Sequence, residues 1–459
     1  MDSLKAAACG SVATIVVCGA WGALHAQQQQ QQHDPEAPAA APGGSAAPTK
    51  SAGAGPGGWD GSRGTCAYVD PKTGQTYPLD APIWCGRGRS GEGEPVPLML
   101  TPLRGITREQ IDTKTRSLWR YAASLPLACE APISLGEGCT PLVPFAFGAS
   151  GATVHFKLEW FNPTCSFKDR GTSVMLSLLK QQGITDVLED SSGNGGASVA
   201  CYAAAGRLNA TIMSPSSTSP AKTVQMAAHG ATVELIPGSR QDTADAAINA
   251  HGRDGGKLFY SSHNWHPFFL HGTKTLAYEL WEDLGFASPD HVIIPTGAGS
   301  NVIGCDLGFS ELRSAGEIET LPKLWVVQPL SCCPIATAVL DLLGEDDGKA
   351  VPAAWNKPEP TMAEGTKIEK PIRVDECVQA ARASRGGAVR VTEEAIAAAT
   401  LELAGLGMYT EPTCAQAGAA YHELLASGKV KAGEVVVVVL TGTGIKATPK
   451  VADLLGVQL

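Results

Sequence analysis

Val435-Val-Val-Val-Val-Leu440 runs directly into Thr441-Gly-Thr-Gly-Ile-Lys446. Six apolar residues, five of them β-branched, halt at a glycine-rich turn. An alternating pattern would mark a strand with one wet face. A run apolar at every position marks a strand covered on both faces, as in a parallel sheet. Working outward, further short Val- and Ile-rich stretches end at Gly, Pro or Ser: Thr153–Leu158, Thr211–Ser214, Thr232–Ile236, Lys257–Ser261, His291–Pro295 and Leu324–Gln328. Helical stretches lie among them, at Gly171–Gln182, Ser198–Gly206, Thr273–Leu284 and Glu393–Leu406. This alternation predicts an α/β fold with parallel-rich sheets. Ligands in such folds bind beyond the carboxyl ends of the strands, which directs attention to the loops there.

At 459 residues the chain is long enough for two domains and a large core. Its charged fraction of 17% against 44% hydrophobic residues is that of a globular protein. Lys and Arg total 35 against 45 Asp and Glu, a net charge of −10 that argues against nucleic-acid binding. Thirteen scattered cysteines in so long a chain read as buried thiols rather than a disulfide framework. Such thiols point to a reducing compartment, the cytoplasm or an organelle, rather than export. Residues 6–24 carry no charge and follow Lys5. They read as a targeting segment, a marginal membrane anchor or an extension without a fold of its own, and membrane contact is expected only if they anchor. Gln27–Gln32 and the Pro, Ala, Gly and Ser of 33–58 predict a disordered linker. The folded part is expected to begin near Trp59 or Cys66.

Four loops carry possible chemistry. In Asn162-Pro-Thr-Cys-Ser-Phe-Lys168-Asp-Arg-Gly171, a lysine stands where an extended segment turns into a helix. The positive end of a helix would lower the pKa of that lysine, as Schiff-base chemistry needs. The same residues also read as a solvated Lys-Asp-Arg trio. Asp190-Ser-Ser-Gly-Asn194-Gly-Gly-Ala-Ser198 leads from a strand into an Ala-rich helix. It serves either as an anion-binding turn or as a plain helix cap. Pro295-Thr-Gly-Ala-Gly-Ser-Asn-Val-Ile-Gly304 fails the dinucleotide fingerprint at Val302, but Gly297–Asn301 fits a phosphate cradle. The Thr441 loop matches the fingerprint formally through Ala447, yet only 12 residues follow, too few for the rest of a βαβ unit. There is no Walker A loop or H-E-x-x-H pair. Cys66, Cys85, Cys332, Cys333 and the cluster His263, His266 and His271 have no zinc-site spacing, so no metal is expected.

Taken in order, these loops resemble the fold-type II (tryptophan synthase β-like) pyridoxal-phosphate enzymes and, within them, threonine synthase. Leu135-Gly-Glu-Gly-Cys-Thr-Pro-Leu142 is similar to the family's GEGxTPL. Asn162–Gly171 is similar to its NPTGSFKDRG, with Cys165 in place of Gly. Gly272–Glu279, Glu411-Pro-Thr-Cys-Ala415 and Leu440–Lys446 follow in the family's order, so the resemblance spans about residues 60 to 450. It implies a larger cofactor-binding domain, 59–160 with 280–459, a smaller α/β domain, 161–279, and a homodimer. It implies that Lys168 links to pyridoxal 5′-phosphate and serves as acid and base, and that Phe167 packs beside the ring. Asn194 would bond the ring's 3′ oxygen, and Gly297, Ala298, Gly299, Ser300 and Asn301 the cofactor phosphate. Thr441 would face the ring nitrogen, a neutral partner that suits elimination and replacement. Ser192 through Ser198 would take the substrate carboxylate.

The resemblance departs at two places. Phe269 stands where the family's NPxRxxGxKT carries an Arg that helps hold the substrate phosphate. Gly195 and Gly196 replace the usual hydroxyl pair. Lys157 and Lys274 remain as phosphate partners. The implied reaction is that of threonine synthase: O-phosphohomoserine and water give threonine and phosphate. The alternatives are a threonine or serine dehydratase, a β-replacement enzyme such as cysteate synthase, or a binding protein on a dead scaffold, against which an intact Lys168 argues.

Overall fold

Val437 and Val439 bury into one hydrophobic cluster while Val436, Val438 and Leu440 bury into another, so the all-apolar strand is covered on both faces as expected. The structure, a computed structural model, describes residues 66–87, 93–126, 128–148, 151–218, 220–252, 256–351 and 359–458. The apolar N-terminal run and the linker of residues 1–58 lie outside the described residues.

Three sheets form. A small antiparallel one joins β1 (Tyr68–Val69), β2 (Thr76–Tyr77) and β3 (Met99–Leu100). The largest contains β4 (Leu142–Phe147), β5 (Ala152–Leu158), β10 (His291–Pro295), β11 (Lys323–Pro329), β12 (Gly387–Val391) and β13 (Val436–Leu440), in the order β12-β11-β10-β13-β5-β4. It is parallel except for the edge hairpin β4–β5. The third is wholly parallel: β6 (Asp186–Asp190), β7 (Asn209–Pro215), β8 (Thr232–Ile236) and β9 (Leu258–Tyr260), ordered β8-β7-β6-β9. Strands β1 to β4 and β12 were not among those expected, and β6 was expected only as a strand of no stated bounds leading into the Asp190 loop. In β12 the polar Arg390 interrupts the apolar pattern; its guanidinium pairs with Asp347.

The helices are α1 (Lys168–Gln181), α2 (Asn194–Gly206), α3 (Pro220–Ala228), α4 (Arg240–Ala250), α5 (Pro267–Thr273), α6 (Thr275–Asp283), α7 (Ser300–Ser314), α8 (Pro334–Leu343), α9 (Val374–Ala383), α10 (Glu393–Gly405), α11 (Pro412–Ala426) and α12 (Thr448–Leu455). The helix expected over Thr273–Leu284 is found as α6, and a shorter helix that was not expected, α5, ends just ahead of it at Thr273. Thr273 and Thr275 turn their hydroxyls back onto the carbonyls of Leu270 (3.0 Å) and Gly272 (2.7 Å), competing with the helical ladder at the junction. Helices α1 and α5 meet without room for side chains. A Cβ on Gly272 would lie 2.1 Å from the Arg170 carbonyl oxygen, and one on Gly171 would lie 2.5 Å from the Phe269 ring.

A buried ionic network joins motifs far apart in sequence. Arg170 donates to Glu159 (2.7 and 2.8 Å) and Glu279 (2.9 Å). Lys157 donates to Glu279 (2.7 Å), Asp283 (2.8 Å) and the Thr140 carbonyl (2.6 Å). Breaking one member of such a network would leave another charge buried and unpaired. The described cysteines are free thiols. No helix among the described residues is long and apolar enough to cross a membrane.

Candidate active site

The carboxyl ends of β6, β10 and β13 face one cleft, lined by Phe167, Lys168, the 191–195 loop, the 295–302 loop and Thr441. The chain reaches Lys168 through an extended segment that runs beside the loop after β13. The Phe167 amide donates to the Thr441 carbonyl (3.1 Å), and Ser166 bridges Gly442. Asp169, one residue on, locks the turn by accepting from the Thr164 amide (2.6 Å) and hydroxyl (2.5 Å). Cys165 has φ +61°, the left-handed region that favours glycine, which accounts for the Gly of similar sequences there. Cys165→Gly should remove this strain and raise unfolding free energy by about 0.5–1 kcal/mol, less than the full left-handed penalty because glycine loses more entropy on folding. Urea denaturation measures it, and a loss of stability would show that the thiol's packing outweighs the strain.

The Lys168 ammonium lies 4.8 Å from the Phe167 ring centroid and 5.6 Å from that of Phe269. Burial pushes its pKa down to about 8; Arg240 adds to the shift, while Glu189 and Glu411 oppose it. Desolvation, more than the helix end, therefore brings the amine within reach of its neutral form. Two stretches of backbone face the same space. Helix α7 begins after Gly299, whose φ is +95°, and its first i→i−4 bond runs from Ile303 to Gly299, leaving the amides of Ser300, Asn301 and Val302 ahead of the ladder. Asn301 is buried, and both polar atoms of its side chain lack a partner. Helix α2 likewise begins with the amides of Asn194, Gly195 and Gly196 ahead of its first bond, from Ala197 to Gly193. Such helix starts attract anions. A desolvated amine, an amide cradle and an orphaned asparagine together fit a phosphate-bearing aldehyde cofactor.

Other expected site residues divide. Ser192, Asn194 and Thr441 line the cleft. Asn194 is held at both ends, donating to Glu411 (3.0 Å) and accepting from Lys446 (3.1 Å). The Thr441 hydroxyl sits 3.1 Å from the Cys414 sulfur. Ser198 is buried, its hydroxyl donating to Asp169 (2.6 Å), so it holds the lysine loop rather than a substrate carboxylate. Lys157 belongs to the ionic network described above. Lys274 donates to Glu311 (2.8 and 3.0 Å) and the Ser124 carbonyl (2.9 Å). Neither lysine lines the cleft, and their partners leave no vacant charge for a phosphate. Phe269 is fully buried against Gly171 and does not line the cleft either. The absent hydroxyl pair has a steric reason. A Cβ on Gly195 would come within 2.8 Å of His263, and one on Gly196 within 2.8 Å of Ile212 and Met226.

The cleft also holds Lys222, Arg240, His263 and Glu411, to which the sequence assigned no role. His263 Nδ1 pairs with the buried carboxyl of Glu189, and burial keeps the imidazole neutral. Burial raises the Glu411 pKa. Glu411 opens a motif already singled out, and His263 belongs to the histidine cluster weighed above for metal binding; Lys222 and Arg240 sit in segments with no distinguishing pattern.

Comparison with known proteins agrees with this geometry. Residues 133–442 match the family described as pyridoxal-phosphate dependent enzyme. The chain is 31% identical over 354 residues to a threonine synthase of Methanosarcina acetivorans, covering 76% of this chain and 85% of that protein. It is 31% identical over 331 residues to a threonine synthase of Mycobacterium leprae, covering 71% and 87%. Among solved structures, a processed threonine deaminase isoform 2 from Solanum lycopersicum aligns with TM-score 0.56 at 23% identity, covering 69% of this chain and 88% of that one. An O-ureido-L-serine synthase aligns with TM-score 0.55 at 19% identity, covering 72% and 96%; these two bear on the fold alone. The chain belongs to the fold-type II pyridoxal-phosphate-dependent enzymes and, within them, to the threonine synthase family.

Proposed function

We propose that the protein converts O-phosphohomoserine and water to threonine and phosphate. The observation that carries this reading is the desolvated Lys168 amine at the meeting point of two anion-binding helix starts. Lys168 would hold pyridoxal 5′-phosphate, with Gly297, Ala298, Gly299, Ser300 and Asn301 around its phosphate and Phe167 and Asn194 at its ring. The cofactor, when bound, supplies an electron sink that loosens bonds at the amino acid's Cα. Lys168 Nζ, partly neutral near pH 8, takes a proton from Cα and returns it. The amides at the start of α2, with Ser192, orient the substrate carboxylate. Thr441, in the cleft wall, would offer the ring nitrogen a hydroxyl rather than a carboxylate. We assign the protein to a reducing compartment, the cytoplasm or an organelle, and propose a homodimer divided into the two domains given above.

Gly195 and Gly196, in place of the hydroxyl pair, support a second reading as a dehydratase or β-replacement enzyme. Purified protein supplied with O-phosphohomoserine, threonine, serine and O-phosphoserine decides between them. We expect phosphate and threonine in equal amounts from O-phosphohomoserine, with the highest kcat/KM of the four. Ammonia from threonine or serine, with no phosphate released from O-phosphohomoserine, would replace the first reading by the second.

A further inference from the structure

Binding a phosphorylated amino acid and a phosphorylated cofactor brings three anionic groups into one cleft. Two helix starts account for the cofactor phosphate and the substrate carboxylate. The third, at the end of the substrate side chain, has lost its expected partners: Phe269 is apolar, and Lys157 and Lys274 are neutralised elsewhere.

One cation in the cleft has bonding capacity to spare. Arg240 opens α4, beyond β8 of the smaller sheet, whereas Phe269 sits in α5. One edge of its guanidinium is tied down, Nη2 donating to the carbonyl oxygen (2.8 Å) and carboxylate (2.5 Å) of Asp190. Asp190 is itself fixed by the Tyr260 hydroxyl (2.5 Å). The other terminal nitrogen, Nη1, is shut off from solvent and has no partner. Leaving that nitrogen buried and unbonded is unfavourable, and a small rotation of the guanidinium that brings it to the cleft would let it take an oxyanion there. Arg240 lines both the cleft that holds Lys168 and a smaller cavity adjoining it, and Asn264 lines both as well. The Asn264 side-chain oxygen is also buried without a partner. Its amide orientation is set by whatever it bonds, so the other orientation would present N–H donors to the same space. Lys222, on the cleft wall, is 3.2 Å from the half-exposed Glu364 and adds positive charge near the entrance.

We propose that Arg240, assisted by Asn264, binds the tetrahedral oxyanion at the distal end of the substrate side chain. The role that the resemblance gives to an arginine at position 269 is here moved to the start of α4. This rests on the proposed reading of the substrate as a phosphorylated amino acid, and it adds which residue receives the phosphate.

The test compares full-length holoenzyme with Arg240→Gln and Arg240→Lys. Inorganic phosphate is titrated calorimetrically into each, and KM is measured for O-phosphohomoserine and for serine. Arg240→Gln should weaken phosphate binding by about 10- to 150-fold, the range for one hydrogen bond to a charged group. The KM for O-phosphohomoserine should rise by a similar factor relative to that for serine, while bound cofactor per subunit stays constant. Arg240→Lys keeps the charge but not the two-edged geometry and should fall between the two; it also serves if the Gln variant does not fold. Equal KM changes for both substrates would assign Arg240 to the α-carboxylate, and loss of cofactor would assign it to the cofactor phosphate. Either result overturns the proposal. If wild type releases no phosphate from O-phosphohomoserine, the threonine synthase reading fails on its own. The phosphate titration still decides whether Arg240 receives an oxyanion, since unchanged affinity in Arg240→Gln sinks the inference regardless of the reaction.

Discussion

Lys168→Ala should abolish turnover and the visible absorbance of lysine-linked cofactor while leaving the fold intact. A positioned acid–base group alone contributes about 10²- to 10⁴-fold, and loss of the covalent attachment adds to that. Borohydride reduction of the wild type followed by peptide mapping should place the cofactor on the peptide containing Lys168. Recovery of the label on Lys222, Lys274 or Lys446 would overturn the assignment. The pH dependence has a definite sign. Burial lowers the amine's pKa to about 8, so the neutral, reactive form grows about tenfold per pH unit below 8 and levels off above it. The rate at which apoenzyme captures cofactor should follow that curve; continued growth to near pH 10 would show an unburied amine. Linkage gives the corresponding effect on stability. The folded pKa lies below the unfolded one, so the buried ammonium destabilises the apoenzyme below pH 8. This is relieved as pH rises from about 8 to 10.5. Lys168→Ala apoenzyme should lack that rise.

Gly299→Ala should be the most damaging small substitution in the cleft. Gly299 has φ +95°, and a Cβ there would lie 2.1 Å from the Cys377 sulfur. The backbone strain amounts to about 1–2 kcal/mol and the overpacking to a further 1–3 kcal/mol. Together these are a large share of the 5–15 kcal/mol that typically holds a domain folded. Relief of the clash would also shift the start of α7, whose amides form the proposed cradle, so cofactor affinity should fall with stability. Thermal unfolding with and without pyridoxal phosphate measures both. Cys377→Ala in the same chain removes the clash but not the strain, and should recover only part of the loss. Full recovery would show that the left-handed backbone does not matter here.

The fold was legible because burial on both faces leaves a local mark. β13 is apolar at every residue, and β8 and β10 match the expected stretches to the residue. The turns at Gly297–Asn301 and Ser192–Asn194 were legible as helix starts because small residues there leave the first amides open. Lys168 was legible only through the motif around it, since its residues alone also described a solvated helix start. The long-range charges were not legible. Lys157 and Lys274 looked like ligands for a phosphate because a lysine in a sequence shows no partner; Glu279 and Glu311 lie 122 and 37 positions away and neutralise them. Ser198 looked like part of an anion loop, but Asp169, 29 positions earlier, takes its hydroxyl. Arg240 had no signal at all. Its half-satisfied guanidinium exists only where α4, β6 and the 297–301 loop converge. Chain order was thus enough for the α/β layering and for the positions of the proposed cofactor lysine and phosphate cradle, whose causes lie within a few consecutive residues. Which of the remaining charges face the cleft was decided by tertiary structure alone, because a charge is spent or spared by a neighbour that the fold, not the chain order, brings beside it.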